Sequence, residues 1–477
     1  MPIICRIFAV ELSTIAAKIR LMFIRLTSRL VVTLLCVWTV SQMVTAAPEN
    51  YRFRHIGVKD GLSQTTVFTL LQDQTGFIWM GTKAGLNRYD GTSMHAYSHH
   101  AGQEGLPSDF ISALYEAPDG SLWVGTDEGV AIYTPLTDSF RPFLQTTADG
   151  LGVTNNVTVI HGDGHNVYIA SNEQGLFCYD TDRNTLTNYP LREHPNIAGL
   201  TVDTGGRLWI GFFGGGLYYS TDHLHSLHPL LDSQGREPFR GDIVSAVVEY
   251  QPDRFMVGTD RHGLSMLDLV QAEVTPIVTT EGGKPVFVRD IALSEQQVWV
   301  ATEQGLYVYN MPSQQLSHYA HEPSNPFSLA DNSLYSLCRD RDGGMWLGSY
   351  FAGAAYLPRQ LSAFERFIPQ AGLSTTLHGR HVREMVQDDH GQVWIGTEDG
   401  GLNIFNPATR TFDYLEASAD FPNVHGLCID GDRLWVGTFS YGLKVIDINT
   451  RRIVGSYAVG DGHGLRDNSI FSIHRSP

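Results

Sequence analysis

The chain has 477 residues, enough for more than one domain, and its 42% hydrophobic content is that of an ordinary globular protein. Its 48 Gly, 23 Phe and 20 Tyr indicate many short strands joined by tight turns. The formal net charge is −17, and residues 47–477 alone carry about −21, an acidic balance that excludes nucleic acid as the expected partner.

Residues 1–46 have the pattern of a secretory signal peptide. A basic front is followed by an 11-residue apolar core at 30–40 and by the small-residue pattern Val44-Thr45-Ala46. We expect cleavage after Ala46, and we expect the true start to be Met22, because the basic front before it is unusually long. An uncleaved anchor is the alternative, but 11 apolar residues are too few to span a bilayer. The mature chain is therefore expected in the periplasm.

From residue 51 onward, one pattern of an apolar run, a Gly-Thr pair and a second Gly returns nine times. Seven of the eight Trp residues stand two places before the Gly that ends the run, and Tyr168 and Met256 take that place in two copies. Aromatic residues placed this regularly are expected to pack inside a repeated unit. The Gly, or Ala, that marks each copy recurs every 41 to 48 residues, at positions 81, 125, 170, 211, 258, 301, 348, 396 and 437.

The first copy predicts four strands, at 67–73, 77–82, 86–90 and 94–97, separated by Gly-containing turns. Four antiparallel strands in about 44 residues are typical of one blade of an all-β propeller. A two-layer solenoid of strands is the alternative, and the four strands per unit favour the propeller. Residues 51–58 precede the first blade and are expected to form a lone outer strand that closes the ring.

The number of copies predicts the domain organisation. Since propellers usually have four to eight blades, we expect a first seven-bladed propeller at 47–360 and the opening blades of a second at 361–477, comprising repeats 8 and 9 and the start of a tenth. The tenth copy begins at Asn468 and stops inside its first strand. We therefore expect the chain to be an N-terminal fragment of a longer protein that aggregates unless the second propeller is completed.

The repeat also accounts for polar residues that resemble parts of a chemical site. Aspartates at or beside the first turn of their blades are expected to satisfy hairpin amides, and the Thr after the marker Gly is expected to hold the second turn together. The three mature cysteines, Cys178, Cys338 and Cys428, form no CxxC pair, so we expect buried strand residues and neither disulfides nor a metal site. The aspartates are Asp73, Asp119, Asp203, Asp340, Asp388 and Asp430, and the threonines are Thr82, Thr126, Thr259, Thr302, Thr397 and Thr438.

The combined motif resembles the two-component regulator propeller repeat. It consists of an Asp-Gly-Leu connector, a D-x-x-G turn, a W-x-G-T strand end, a Gly-Leu pair and a Tyr-Asp ending, as at 60–90. The resemblance covers residues 51–477. It implies the periplasmic sensor region of a membrane receptor in which two seven-bladed propellers precede a β-sandwich, a transmembrane helix and a histidine kinase or diguanylate cyclase. Those later parts are absent from this chain. The resemblance further implies an oligosaccharide or other small extracellular ligand, a membrane link only through the absent part, and a homodimer of the full receptor.

The second turns and the connectors between blades are expected on one face, around the channel, where propellers usually bind ligands. Aromatic residues in three of these turns are candidates to stack on a sugar ring, although they could instead cap a neighbouring blade. Four basic residues on or near this face are candidates for an anionic group. The aromatic candidates are Phe212, Phe213, Tyr350, Phe351, Phe439 and Tyr441, and the basic ones are Lys83, Arg261, His262 and Arg380.

The chain carries no GxSxG, HExxH, GxxxxGK[ST] or CxxC motif, so we expect a binding module without a cofactor. Three histidines lie close together at 223, 225 and 228. His223 and His225 would share one face of a strand, so a zinc site is possible, but a solvated strand explains them more simply. A propeller lyase or hydrolase acting on a periplasmic glycan is one alternative function. A scaffold propeller that holds partner proteins is another.

Overall fold

A computed structural model describes residues 51–476 except 103, 360–366, 368 and 370–374. The predicted signal peptide, its Met22 start and the predicted domain boundary at 360 lie outside these residues. Within them the structure contains nine four-stranded antiparallel sheets, one for each sequence repeat, which we call blades 1 to 9. The predicted all-β propeller architecture is confirmed.

Each blade has an inner, a second, a third and an outer strand. The inner strands are Val67–Gln72, Ile111–Glu116, Val157–Gly162, Ile197–Val202, Val244–Gln251, Val288–Ser294, Leu334–Arg339, Val382–Gln387 and Val424–Asp430. The second strands are Ile78–Thr82, Leu122–Thr126, Asn166–Ser171, Leu208–Phe212, Arg254–Thr259, Gln297–Thr302, Met345–Ser349, Val393–Thr397 and Arg433–Thr438. The third strands are Gly85–Tyr89, Gly129–Thr134, Gly175–Asp180, Gly216–Ser220, Leu264–Asp268, Gly305–Asn310, Ala354–Leu357, Leu402–Asn406 and Leu443–Asp447.

The outer strands are Met94–Tyr97, Ser139–Pro142, Thr185–Tyr189, His228–Pro229, Glu273–Val278, Gln315–Tyr319, Arg54–Ile56 in blade 7, Thr411–Tyr414 and Arg452–Tyr457. A short hairpin, Thr280–Glu281 with Lys284–Pro285, extends the connector from blade 5 to blade 6, and two 3-10 helices lie at Val58–Asp60 and Glu416–Asp420. Among the described residues, no helix combines the length and the apolar character needed to cross a membrane.

The first seven blades form a closed ring. The inner strand of each blade contacts the inner strand of the next, and the inner strand of blade 7 contacts that of blade 1. The ring is closed by the chain before blade 1, because Arg54–Ile56 pairs with the third strand of blade 7 and joins its sheet as the outer strand. Phe53 N also donates to Phe327 O at 2.9 Å, in the connector from blade 6 to blade 7. The sheet of blade 7 thus contains strands from both ends of the ring, which removes a free edge.

A close contact between blades explains the marker Gly. A Cβ atom added to Gly81 would lie 2.8 Å from Cγ2 of Ile111, the first inner-strand residue of blade 2. At the junction that closes the ring, a Cβ added to Gly348 would lie 2.8 Å from the carbonyl oxygen of Val67 in blade 1. The marker is therefore small because the first residue of the next inner strand packs directly on it.

Six of the seven regularly spaced Trp residues in the blades are buried, as predicted, and in four blades a first-turn aspartate accepts the indole N–H. Trp79 is fully buried, and its Nε1 donates to Oδ2 of Asp73 at 2.7 Å, while Oδ1 of Asp73 accepts the amides of Thr75, Gly76 and Phe77. One carboxylate thus satisfies both the turn and the buried indole. The same Trp-to-Asp bond measures 2.9, 3.1 and 2.9 Å in blades 4, 7 and 8, between Trp209 and Asp203, Trp346 and Asp340, and Trp394 and Asp388.

The Thr after the marker Gly binds the second turn, as predicted. Thr82 Oγ1 donates to the carbonyl oxygen of Gly85 at 2.9 Å and accepts the amide of Ala84 at 3.0 Å. The prediction for the cysteines needs a correction. Cys178, Cys338 and Cys428 are free thiols on strands, but each is partly exposed and none is fully buried.

Blades 8 and 9 share a core of their own, which includes Trp394, Leu427 and Val436. Two of their large apolar side chains are exposed to solvent. Met385 on the inner strand of blade 8 is 60% exposed, and Trp435 in blade 9 is partly exposed. Residues 469–476 lie beside blade 9, where Ile470 N donates to Thr438 O at 2.9 Å. The prediction that residues 361–477 belong to a second propeller stays a prediction.

Candidate functional site

Every inner strand carries a β-bulge at its second residue. In blade 1 the pairing with the second strand passes from Val67 directly to Thr69 and leaves Phe68 outside the ladder. A bulge re-aims the side chain of the extra residue. Since the inner strands of blades 1 to 7 surround the axis, their bulged residues lie around the entrance of the channel, at the end where the second turns lie. In blades 1 to 7 these residues are Phe68, Ser112, Thr158, Ala198, Ser245, Arg289 and Tyr335.

Three of the bulged residues join adjacent blades. The hydroxyls of Ser112, Thr158 and Ser245 donate to the carbonyl oxygen of the first inner-strand residue in the next blade. The bond from Thr158 to Ile197 measures 2.7 Å and that from Ser245 to Val288 measures 2.6 Å. At these positions the bulge has a structural role.

Blades 6, 7 and 1 carry large side chains at the bulge, and these contact one another. The guanidinium of Arg289 lies 4.6 Å from the ring centroid of Tyr335, and the ring of Tyr335 lies 5.6 Å from that of Phe68. Phe68 in turn lies 5.0 Å from Phe110, which immediately precedes the inner strand of blade 2. The contacts thus run continuously from blade 6 to blade 2.

The second turns of blades 7 and 1 complete this group. Tyr350 lies 5.4 Å from Tyr335 and 4.6 Å from Phe351, which is 69% exposed. Lys83 Nζ donates to the Tyr350 hydroxyl at 3.1 Å and lies 4.8 Å from the centre of its ring, within the range of a cation–π contact. We call the group of Phe68, Lys83, Phe110, Arg289, Tyr335, Tyr350 and Phe351 the channel-mouth cluster.

The cluster combines aromatic faces with two cations. Arg289 pairs with Glu303 in the second turn of its own blade and stacks 4.0 Å over Phe287, but its Nε is buried with no hydrogen-bond partner within the described structure. Lys83 is exposed, and within the cluster its ammonium group donates to the Tyr350 hydroxyl. The arrangement can stack on a flat ligand and can donate hydrogen bonds to its edge.

A buried carboxyl lies next to the cluster. Asp290 follows Arg289 on the inner strand of blade 6 and accepts the amide of Leu337 in blade 7 at 2.7 Å. Burial raises the pKa of Asp290 to about 6, although the amides of Leu337 and Ile291 oppose the rise. The inner strands of blades 6 and 7 are therefore joined through a group whose charge changes between weakly acidic and neutral pH.

The structure places three of the predicted ligand residues in this cluster, namely Lys83, Tyr350 and Phe351. Phe213 is 48% exposed but lies in blade 4, which is three blades from blade 7 around the ring. The prediction that Phe212 contacts a ligand is wrong, because its ring is fully buried against Tyr218 and His194.

The remaining predicted residues lie elsewhere. Arg261 and His262 are exposed in the second turn of blade 5, where His262 Nδ1 lies 2.6 Å from Oδ2 of the buried Asp242. His262 also lines a cavity of about 630 Å³ at the connector from blade 4 to blade 5. Arg380, Phe439 and Tyr441 belong to blades 8 and 9 and are exposed there. Whether any of these residues binds a ligand stays a prediction.

Four cluster residues were missed by sequence reasoning, namely Phe68, Phe110, Arg289 and Tyr335. A signal was present for three of them. When the repeats are aligned on the first residue of the inner strand, the next position is Ser, Thr or Ala in blades 2 to 5 and is Arg, Tyr or Phe in blades 6, 7 and 1. The turn residues could be predicted because aromatic residues there replace polar ones, whereas the β-bulge leaves no pattern in the sequence.

Two solved structures are similar over most of the chain. The extracellular domain of BT3049 of B. thetaiotaomicron, assigned to a hybrid two-component system, aligns with a TM-score of 0.58 at 20% identity and covers 88% of this chain and 62% of that chain. The corresponding domain of BT4673 of the same organism aligns with a TM-score of 0.55 at 20% identity, with the same coverage. At this identity the likeness shows the fold. This chain spans less than two thirds of the length of either domain.

Two comparisons by sequence also give matches. A 52-residue stretch of the chain is 40% identical to part of histidine kinase P4 of Formosa agariphila. This stretch makes up 11% of this chain and 4% of that protein. The family model described as two component regulator propeller matches residues 61–84, 105–128 and 328–351, which lie in blades 1, 2 and 7. The resemblance predicted from the sequence is thereby confirmed, and three of the nine repeats match the two-component regulator propeller model.

Proposed function

We propose that this chain is the ligand-sensing propeller region of a bacterial membrane receptor and that the channel-mouth cluster binds its ligand. The observation that carries the proposal is the group of contacting aromatic rings, with Lys83 and Arg289 among them, at the channel entrance of blades 6, 7 and 1. Propellers offer this entrance as a concave surface formed by several blades. The family match supports a sensory role.

The chemistry of the cluster favours an oligosaccharide as the ligand. Aromatic faces such as Phe351 and Tyr350 stack on the apolar face of a sugar ring, and the ammonium of Lys83 donates to its hydroxyl or carboxylate oxygens. Such a ligand is extracellular, in accord with a periplasmic location after export. The short match to a histidine kinase favours a kinase over a diguanylate cyclase as the output module of the full receptor.

The test is a binding screen on the purified mature chain. Thermal shift against a panel of neutral and acidic oligosaccharides identifies a ligand, and calorimetry then measures its dissociation constant. We expect Tyr350→Ala and Lys83→Ala each to weaken binding by about tenfold or more, as for a central contact residue. Phe213→Ala is the matched control, because it removes an exposed aromatic of a second turn from blade 4, and we expect unchanged binding.

Two outcomes would overturn the proposal. One is a ligand whose affinity is unchanged in Tyr350→Ala and Lys83→Ala but lost in Phe213→Ala, which would place the site in blade 4. The other is cleavage of the bound oligosaccharide, detected by mass spectrometry over a long incubation. Such cleavage would support a lyase or hydrolase. Intact ligand recovered after incubation supports a sensor.

A further inference from the structure

A cavity of about 640 Å³ lies between blades 2 and 3, among residues that have no part in the channel-mouth cluster. Blade 2 contributes its first turn and its outer strand to the walls. Blade 3 contributes its third strand and the turn that follows this strand. A cavity of this size accommodates a small molecule. The residues that matter for the argument are Ala117, Trp123, Arg141, Phe143, Tyr179 and Asn184.

Blade 2 lacks a carboxylate that other blades have. In blades 1, 4, 7 and 8 an Asp six residues before the Trp accepts the indole N–H at 2.7 to 3.1 Å. In blade 2 that position is Ala117. The backbone of the turn is nevertheless the same, because Ala117 N donates to Ser121 O at 2.9 Å just as Asp73 N donates to Phe77 O at 3.0 Å.

The consequence is an unpaired donor at the cavity wall. Trp123 is 3% exposed, and its Nε1 has no hydrogen-bond partner in the part of the chain that the structure describes. Because blade 2 repeats the geometry of blade 1, this N–H is directed at the place beside Ala117 that the Asp carboxylate occupies elsewhere. Ala117 lines the cavity, so that place is open to it. A buried donor without an acceptor is unfavourable, and an acceptor bound there gains a preformed partner.

The other walls supply apolar faces and a cation. The rings of Phe143 and Tyr179 lie 5.0 and 5.6 Å from that of Trp123, and they lie 5.1 Å from each other. Arg141 lines the same cavity and is exposed. The carboxylate of Asp119 also lies in the wall, but it accepts the amide and the hydroxyl of Ser121 at 2.9 and 2.6 Å.

We propose that this cavity is a second ligand site, which binds a small ring compound bearing a carboxylate. The carboxylate takes the place of the missing Asp, accepts the Trp123 N–H and pairs with Arg141, while the ring lies against Phe143 and Tyr179. The site is independent of the channel-mouth cluster and does not depend on the proposed sensory function.

Benzoate is a suitable probe, with benzyl alcohol as an uncharged control of similar size. The indole N–H resonance of Trp123 is identified in the 15N spectrum of the whole chain by its loss in Trp123→Phe. We expect benzoate to shift this resonance in a saturable way. We expect benzyl alcohol to bind at least about tenfold more weakly, because it lacks the negative charge that Arg141 and the indole N–H recognise.

Ala117→Asp gives the sharpest test, because it restores the residue of the other blades. The new carboxylate should pair with Trp123 and raise the melting temperature, and it should abolish the effect of benzoate. Arg141→Gln, a surface change, should weaken benzoate binding by about tenfold while leaving the melting temperature unchanged. The proposal is overturned if benzoate does not shift the Trp123 resonance at tens of millimolar, or if Ala117→Asp or Arg141→Gln binds benzoate as well as the original chain.

Discussion

Replacing Asp73 by Ala tests the bond between the first turn and the buried Trp. Asp73 is 8% exposed, and its carboxylate accepts five hydrogen bonds, from Thr75 N and Oγ1, Gly76 N, Phe77 N and Trp79 Nε1. Water can reach the turn amides after the substitution, but Trp79 is fully buried and its N–H stays unpaired. An unpaired buried donor costs about 1–3 kcal/mol, and lost bonds to a charged acceptor add to this. We therefore expect Asp73→Ala to lower the free energy of unfolding by about 2–4 kcal/mol.

Urea unfolding followed by Trp fluorescence measures this loss, and a double-mutant cycle isolates the indole bond. In a Trp79→Phe background the indole N–H is absent, so Asp73→Ala should cost about 1–2 kcal/mol less than in the original chain. Asp119→Ala is the matched control, since Asp119 is exposed and, among the residues that the structure describes, accepts hydrogen bonds from Ser121 alone, in the first turn of blade 2. An equal cost of Asp73→Ala in both backgrounds would refute the reasoning, because the carboxylate would then serve the turn alone.

Three further predictions concern the closure of the ring, the buried carboxyl and the exposed face of blade 8. Gly348→Val should destabilise the ring by about 1–3 kcal/mol in urea unfolding, because its side chain meets Val67 across the junction, whereas Gly105→Ala, with open space around it, should have no effect. The pKa of Asp290 is raised to about 6, so the native state holds more protons than the unfolded chain between about pH 4 and 6 and stability falls as the pH rises through that window. Asp290→Asn should abolish this fall, and an unchanged pH profile of urea unfolding would contradict it. We expect the chain to self-associate with rising concentration in sedimentation velocity, and we expect Met385→Lys to reduce this association, whereas Leu136→Lys, at a 97% exposed site in blade 2, should leave it unchanged.

The repeat made the fold predictable to within a residue or two. The strands predicted for blade 1 at 67–73, 77–82, 86–90 and 94–97 are Val67–Gln72, Ile78–Thr82, Gly85–Tyr89 and Met94–Tyr97. This precision has a physical origin. Each blade must bury the same faces against its two neighbours, so the Gly, Trp and Thr positions are fixed by contacts that recur in every copy.

The site was less predictable, because it depends on where the copies differ. The buried state of Phe212 follows from its contact with His194, which comes from the preceding connector and has no counterpart in the repeat pattern. The roles of Phe68, Arg289 and Tyr335 follow from the bulge, which appears only when strand pairing is known. The bond from Asp73 to Trp79 spans six residues and two strands, so turn chemistry alone did not suggest it.

The most direct test of the sensory account is hydrogen exchange of the mature chain with and without the oligosaccharide found by the binding screen. The account predicts that the ligand protects amides in the channel-side ends of blades 6, 7 and 1, in peptides that contain Phe68, Lys83, Arg289, Tyr335 and Tyr350, and that the protection disappears in Tyr350→Ala. Protection confined to blades 2 and 3, or to blades 4 and 5, with no change in blades 6, 7 and 1, would contradict the claim that the channel-mouth cluster is the ligand site.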